Sequence, residues 1–429
     1  MDLADSYMKI KLFILLLFCL TFATDGLSQN AFPGAEGFGS DTRHAYQTGV
    51  APKILTVTTL KDGGIGSLRW AVNQNYPRII IFEVSGVIKL YRDLYIRNPY
   101  IFIAGQSAPQ PGVTISNATL FVHTHDVLIQ NIKLRYGVNS RKQDCLTIAS
   151  VRDSSYNVIV DHCSISWGMD ENIGIAATQY GITISNCIIS EAIDTKGGNA
   201  YGLLAYDNGE LSVLKNLFVH NADRNPLVKG ESHKTLVYNN VIYNSDTHCI
   251  YFGHRENGNS RFQIAALNNY YVPGIKNRNS NIITFSERIS ENAVAYLSGN
   301  QVKGKNKPQW QRGITYNQAG EQIIAQSPMF DYPHMDLIPT DSLLNRVLAH
   351  CGAFPQNRDA IDERIIKDVT HMTGKWIFHE DEVGGYIEQA ACHKLIIPDT
   401  PHDDDNNNGF TNIEDWLNSL IYTNNQTTK

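Results

Sequence analysis

The sequence predicts an all-β chain wound as a parallel β-helix, a solenoid with an N-terminal capping helix and a helical C-terminal extension. Three observations carry that expectation. The stretches "VLIQNIKL", "VIVDHCSI", "ITISNCII", "SVLKNLFV" and "LVYNNVIY" share one pattern: an alternating strand, then Asn or His, then a second apolar strand. Their polar positions, Asn131, His162, Asn186, Asn216 and Asn240, continued by Asn269 and Asn300, recur every 24 to 31 residues, a period typical of stacked repeats. Alternation sets Val127, Ile129 and Asn131 on one face, as it does Val158, Val160 and His162. That face is expected to be the interior, because stacked amides satisfy one another where a lone buried amide would be costly.

Taken in chain order, Lys9 and Lys11 precede the apolar run "LFILLLFCLTFA", and small residues follow before "SQNAFPG". This is the pattern of an export signal, so 1–28 is read as a signal peptide and the mature protein as secreted or periplasmic. The run is too short and isolated for a membrane span. The boundaries expected after it are 29–320 for the solenoid, 321–395 for an extension packed on it and 396–429 for a tail. In "GSLRWAVNQ", Ser67 serves as N-cap and Leu68, Ala71 and Val72 share one helical face, suited to covering the first coil. After the repeats fade, "TDSLLNRVLAHCGAFPQNRDAIDERIIKDV" reads as two helices on the solenoid's flank or end.

Charged residues make up only 18% of the 429, and the net charge is −6. That balance argues against bulk nucleic-acid binding, and a monomer is expected. Without Cys19 in the signal, Cys145, Cys163, Cys187, Cys249, Cys351 and Cys392 remain. Their spacings fit neither a dense disulfide scaffold nor paired zinc motifs, so most are read as buried free thiols.

Each polar corner is preceded by an earlier short strand of the same coil: "DCLTIA", "DENIGIA", "AYGLLAY" and "RNPLVKG", beginning at Asp144, Asp170, Ala200 and Arg224. Similar phase in successive coils implies one stacked sheet. With strands about 4.8 Å apart, Asp144 and Asp170 can share a cation, and Arg224 falls about 10 Å beyond Asp170, a gap the size of one sugar ring. Two carboxylates followed by Arg224 and Lys229 on one outward strip suit an anionic polymer held through a bridging metal. Calcium accepts oxygen ligands in flexible number.

Parity turns Asp170 outward and Glu171 inward, unless the strand begins only after Glu171. Asp161 is also outward, on the following sheet beside His162. It reads as a turn or supporting hydrogen bond, and His162 as a ladder residue rather than a base. Lys196, in the loop "DTKGGNAYG", can reach the cleft and is a third catalytic candidate beside Arg224 and Lys229; the alternative reading is an ordinary loop lysine.

With these residues in view, "AFPGAEGFGS", "TVTTLKDGGIGSLRWAV", "IIIFEVSGVIKL", "IFIAGQSAPQPGVTI", "VIVDHCSISWGMDENI" and "NADRNPLVKG" resemble successive signatures of the pectate lyase family 1 group, in its secreted bacterial branch. The resemblance runs from about Ala31 to at least Asn300. It implies a right-handed parallel β-helix that cleaves de-esterified galacturonan by calcium-dependent β-elimination to 4,5-unsaturated oligogalacturonides. By position, Arg224 matches the family's catalytic base, and Lys229 falls where a second arginine usually sits. Asp144 matches a calcium-binding aspartate and Asp170 an acidic ligand position. Lys142 stands where many relatives carry another calcium aspartate, and Gly174 at a further carboxylate position, for which Glu171 is the available substitute. An arginine is ordinarily a poor base. The role therefore requires Arg224 held against the sugar's C5, with developing charge stabilised by calcium and Lys229.

In the tail, "DTPHDDDNNNGFTNIEDWLNSL", taking Gly409 as position six puts Asp404, Asn406, Asn408 and Asp415 at positions one, three, five and twelve of a calcium loop. The same residues also read as a solvated acidic linker. Two rival functions stand beside the lyase. A β-helical hydrolase of the same polymer would need paired carboxylates and a Gly-His-Gly in the cleft. The consecutive aspartates Asp403 to Asp405 lie in the tail, and no such triplet occurs. A non-catalytic solenoid that binds glycans would need only the strip.

Overall fold

The computed structural model of the protein describes residues 30–139, 141–149, 155–194, 200–254, 261–274, 281–304, 314–315 and 323–423. Short parallel strands stack in three columns around an apolar interior, giving a parallel β-helix of about eight turns. One column runs through Leu94–Ile96, Leu120–Val122, Leu146–Ala149 and Glu171–Ala176 to Ile250–Phe252 and Ile283–Phe285. A second runs from Lys53–Val57 and Arg78–Phe82 through Val127–Gln130 and Val158–Asp161 to Val294–Ser298. The long strands Tyr201–Leu214 and Leu227–Tyr238 belong to both, so the two columns merge into a 17-stranded sheet. The third column, from Val84–Lys89 to Gln301–Val302, closes the coil.

The interior follows from alternation. Ile96, Val122, Ile148, Ile175, Ala205, Val228, Phe252 and Phe285 are register partners in successive rungs and form one continuous apolar stack. The expected lid is present: Leu68–Val72 is a helix whose N-cap Ser67 accepts a hydrogen bond from the Trp70 amide, and its Leu68, Ala71 and Val72 are buried against the first strands.

The polar ladder is real, and Asn216, Asn240, Asn269 and Asn300 stand in it as expected, but the three earlier positions are out of register by a single residue. Asn131, His162 and Asn186 do not enter the interior stack. They occupy the corner in the left-handed conformation, with φ of 55°, 48° and 51°, and the next coils place Lys215, Asn239 and Asn268 there, at 55°, 54° and 49°. A left-handed residue breaks the period-two alternation, so the position after it, not the position itself, points inward. Hence the interior column reads Cys163, Cys187, Asn216, Asn240, Asn269 and Asn300. Its last four members are linked amide to amide, Asn216 to Asn240, Asn240 to Asn269 and Asn269 to Asn300, at 2.8–3.1 Å. The Asn240 oxygen also accepts the Asn216 backbone N–H at 3.0 Å. Asn240→Ala is therefore expected to cost ~1–3 kcal/mol for each buried donor left without its acceptor, read as a lower denaturant midpoint at unchanged m-value.

The two C-terminal helices form as expected, at Thr340–His350 and Ala360–His371. They lie on the flank, not the end: Leu343, Val347, Ile365 and Val369 pack on the outward Ile188, Leu217, Val219 and Val241 of the third column. A buried ion cluster fixes the second helix. Arg135 bonds Asp359 at 2.8 Å and Asp362 at 2.9 Å, and Lys133 reaches Asp359 at 2.8 Å. Burial alone would raise the Asp359 carboxyl, but Arg135 and Lys133 hold it well below the usual range. The helix Asn412–Thr423 covers the second column, where Ile413 and Leu417 pack with Ile79, Ile81, Phe102, Leu128 and Ile159. The tail is thus docked rather than a free linker. Among the described residues, no helix is long and apolar enough to cross a membrane. The expected signal peptide lies outside the described residues. Cys145, Cys163, Cys187, Cys249 and Cys351 are buried free thiols, and Cys392 is exposed.

Candidate active site

The expected acidic residues and Arg224 meet on the outer face of the first column. Asp144, Asp170 and Glu171 each offer an oxygen within 4.8 Å of the others. The pairing Leu146↔Ile173 sets Asp144 abreast of Glu171 rather than Asp170, and the Glu171 amide donates to Asp144 Oδ1 at 3.1 Å.

Parity alone misplaces Glu171. Asn172 and Ile173 are both turned inward: the Asn172 amide donates to Ser190 O and Asn221 Oδ1 and accepts from the Gly168 N–H. Two successive inward residues reverse the phase, so Glu171 emerges beside Asp144. Asp144 is steadied by Thr147, whose hydroxyl donates to Oδ2 at 2.8 Å. It lies directly over Gly174, where an added Cβ would stand 2.3 Å from Asp144 Oδ2. The glycine at an expected carboxylate position is therefore what makes room for Asp144.

Arg224 does not stand free beyond a sugar-sized gap. Its backbone is left-handed, with φ 63°, and its guanidinium lies back over the Tyr201 ring, 3.6 Å from the centroid, to pair with Glu171. Tyr201 is the register partner of Glu171 on one side and of Asp223 on the other, so its ring bridges the intervening rung. Asp223 accepts the Arg224 N–H at 2.7 Å and contacts His248 at 3.1 Å. Lys229 lies further along the strand, as the register partner of Tyr206, its ammonium 5.2 Å from the centre of that ring. Tyr201, Tyr206 and Thr147 were not singled out in the sequence. The signal was the pair of tyrosines flanking "YGLLAY", in the strand between the acidic and basic rungs. Lys196 lies outside the described residues.

Burial, then the neighbouring Asp144 charge, push the Glu171 carboxyl up to about 8, against the opposing pull of Arg224. Burial also raises Asp144, with Asp170 adding to it. Three crowded carboxyls, two of them reluctant to ionise, form a hard oxygen donor set that a divalent cation fits and would relieve of mutual repulsion.

A raised carboxyl holds its proton in the folded state. Its stabilising contribution is thus complete below the unfolded value near 4.5 and is lost as pH rises through about 8. Without metal, the wild type is expected to lose melting temperature relative to Glu171→Gln over that interval, and a divalent cation should restore it. A difference between the two proteins that does not change with pH would contradict the shift.

Asp161 and His162 are not part of this cluster. Asp161 is buried and accepts from His162, Gln130, Ser185 and Asn186 at 2.7–3.0 Å, the supporting role expected of it. His162 faces a separate cavity of about 200 Å³ shared with Glu36, Lys215, Arg346 and His350. In the tail, Asp404, Asn406, Asn408 and Asp415 do converge. The Asp404 carboxylate accepts the Asn408 and Gly409 N–H groups at 3.1 and 2.8 Å, and Asp415 accepts the side-chain amides of Asn406 and Asn408 at 2.7 and 3.0 Å. Gly409, at φ 91°, makes the turn that closes this loop.

No family profile matches the chain. Curated relatives do: it is 31% identical over 433 residues to a probable pectate lyase C of Aspergillus oryzae, covering 95% of this chain and 97% of that one. It is also 31% identical to the probable pectate lyase C of Emericella nidulans, over 91% of this chain and 93% of the relative. Among solved structures, the major cedar-pollen allergen is similar in fold, with TM-score 0.53 and 19% identity over 74% of this chain and 92% of the allergen. A pectate lyase bound to a hexasaccharide gives TM-score 0.53 and 12% identity over 77% and 99%. A parallel β-helix with such relatives defines a polysaccharide lyase. The chain belongs to the pectate lyase family.

Proposed function

We propose that this enzyme cleaves de-esterified galacturonan by calcium-dependent β-elimination, with Arg224 and Lys229 as catalytic residues and Asp144, Asp170 and Glu171 as metal ligands. The observation that carries this reading is the meeting of the three carboxylates with Arg224 on one outward strip. When bound, calcium would neutralise the substrate's C6 carboxylate and render the C5 hydrogen acidic. The chain's own residues supply the rest. Arg224, held over the Tyr201 ring, would act as the base that takes the C5 proton, which requires its neutral guanidine form and release from the Glu171 ion pair. Lys229 offers a second cation to charge that develops on the sugar. The C5–H and C4–O bonds break, a C4=C5 double bond forms, and the proton passes finally to the departing oxygen.

The convergence of Asp404, Asn406, Asn408 and Asp415 favours a second, structural calcium site in the tail. The apolar run after Lys11 favours export from the cell.

The test is polygalacturonate with and without calcium, followed by the ultraviolet absorbance of the conjugated unsaturated uronide. Unsaturated product that disappears on chelation is expected. Saturated product would point to a hydrolase, and binding without cleavage to a glycan-binding solenoid.

A further inference from the structure

On the N-terminal side of the carboxylates, the outer face of the same column changes character. The pairings Tyr95↔Phe121, Phe121↔Thr147 and Thr147↔Gly174 set four positions in one outward line that ends under Asp144. Its first two members are aromatic and half-buried, stacked with centroids 4.7 Å apart and planes 10° from parallel. The adjoining line begins with Arg97 and His123. The exposed Arg97 guanidinium lies 3.9 Å over the Tyr95 ring, and His123 lies 5.3 Å from both rings. Beyond the aromatic pair the outward positions become small, namely Thr147, Ala149, Gly174 and Ala176, until Tyr206 and Lys229 rise again. The strip is therefore a low trough with an aromatic wall at each end and the carboxylates along one side.

The aromatic pair is turned away from the interior stack. Among the described residues, no carboxylate lies within 4.0 Å of Arg97, although the tyrosine ring holds it in place. Burial and then Arg97 lower the neighbouring His123, so Arg97 carries the positive charge of the patch at neutral pH. At about 4.8 Å per rung, Tyr95 lies about 14 Å from Gly174, far enough to meet a different sugar from the one at the carboxylates.

Resting on the lyase reading above, we propose that Tyr95, Phe121 and Arg97 form a distal subsite for the acidic polysaccharide, continuing the substrate path from the carboxylates toward the N-terminal coils. The apolar ring surface packs against sugar C–H groups, and Arg97 receives a uronate carboxylate through its planar fork. Substrates long enough to reach both places gain affinity, and short ones do not.

Kinetics at saturating calcium on trigalacturonate and on a longer size-defined oligomer test this, using wild type, Phe121→Ala and Arg97→Gln, each checked for an unchanged melting temperature. Because Arg97 is exposed, Arg97→Gln keeps the test decisive if Phe121→Ala folds poorly. Each variant is expected to raise KM on the longer oligomer by about tenfold, with kcat nearly unchanged and trimer kinetics within about twofold of wild type. Equal effects on both lengths, or none on the longer one, overturn the subsite while leaving the lyase intact. Wild type that cleaves neither substrate overturns the lyase reading and the subsite with it.

Discussion

Arg224→Lys is expected to lower kcat by about 10²–10³-fold while KM changes only a few-fold, since the contact is needed chiefly as charge develops. The geometry makes lysine a poor replacement. Arg224 reaches its place with its guanidinium carbon 3.6 Å from the centre of the Tyr201 ring, and a compact ammonium lacks the delocalised cation and the fork that arginine presents. Arg224→Ala should be at least as damaging. Lys229→Arg should be much milder, because charge is kept and the residue type usual in the family returns, whereas Lys229→Ala should weaken both KM and kcat. Steady-state kinetics on size-defined oligogalacturonides separate these outcomes. Near-normal turnover in Arg224→Ala would reject its catalytic role.

Removal of either aspartate should act through the metal. Asp144→Ala and Asp170→Ala are each expected to weaken apparent calcium affinity by ~10–100-fold or more, with activity partly recovered as calcium is raised. The two should differ in their side effects. Asp144 is tied to Thr147 and to the Glu171 amide, so its removal also loosens the strand and should lower the melting temperature. Asp170 is exposed, and its loss should leave stability nearly unchanged. Calcium titrations of activity, with melting curves alongside, check both. Wild-type calcium dependence in the two variants would exclude them as ligands.

The coil period, the apolar alternation and the capping helix could be read from the sequence because each is a local pattern repeated many times. The phase of that pattern was legible in the later coils, at Asn216, Asn240, Asn269 and Asn300, but not in the earlier ones, at Asn131, His162 and Asn186. One left-handed corner residue, Asn186 in one coil and Lys215 in the next, shifts the inward position to its successor. Backbone handedness is not written in side-chain polarity when lysine and asparagine share the role. The same limit explains Glu171: Asn172 satisfies its amide inside the coil, and only that interior bonding shows that the strand changes phase. Residue types at the site were legible because acidic and basic groups recur at matched positions. The folding back of Arg224 over Tyr201 was not, because strand spacing says nothing about where a long side chain lies. Gly174 looked like a missing ligand; the position of Asp144 makes it a clearance.

Helix Asn412–Thr423 and the segment around Ala31 and Ala35 share one apolar cluster with strands of the second column, and Arg43 bonds Glu414 across 371 residues of chain. A bare solenoid couples each repeat only to its neighbours, so its ends can fray independently. Here the earliest and latest parts of the described chain clasp the same coils, which adds contacts of very long sequence separation to an otherwise short-range architecture. Folding therefore cannot finish until the C-terminal segment has been synthesised. Once closed, the clasp makes opening of the first coils depend on release of the last helix, converting a stack that would unzip from its ends into a single cooperative unit.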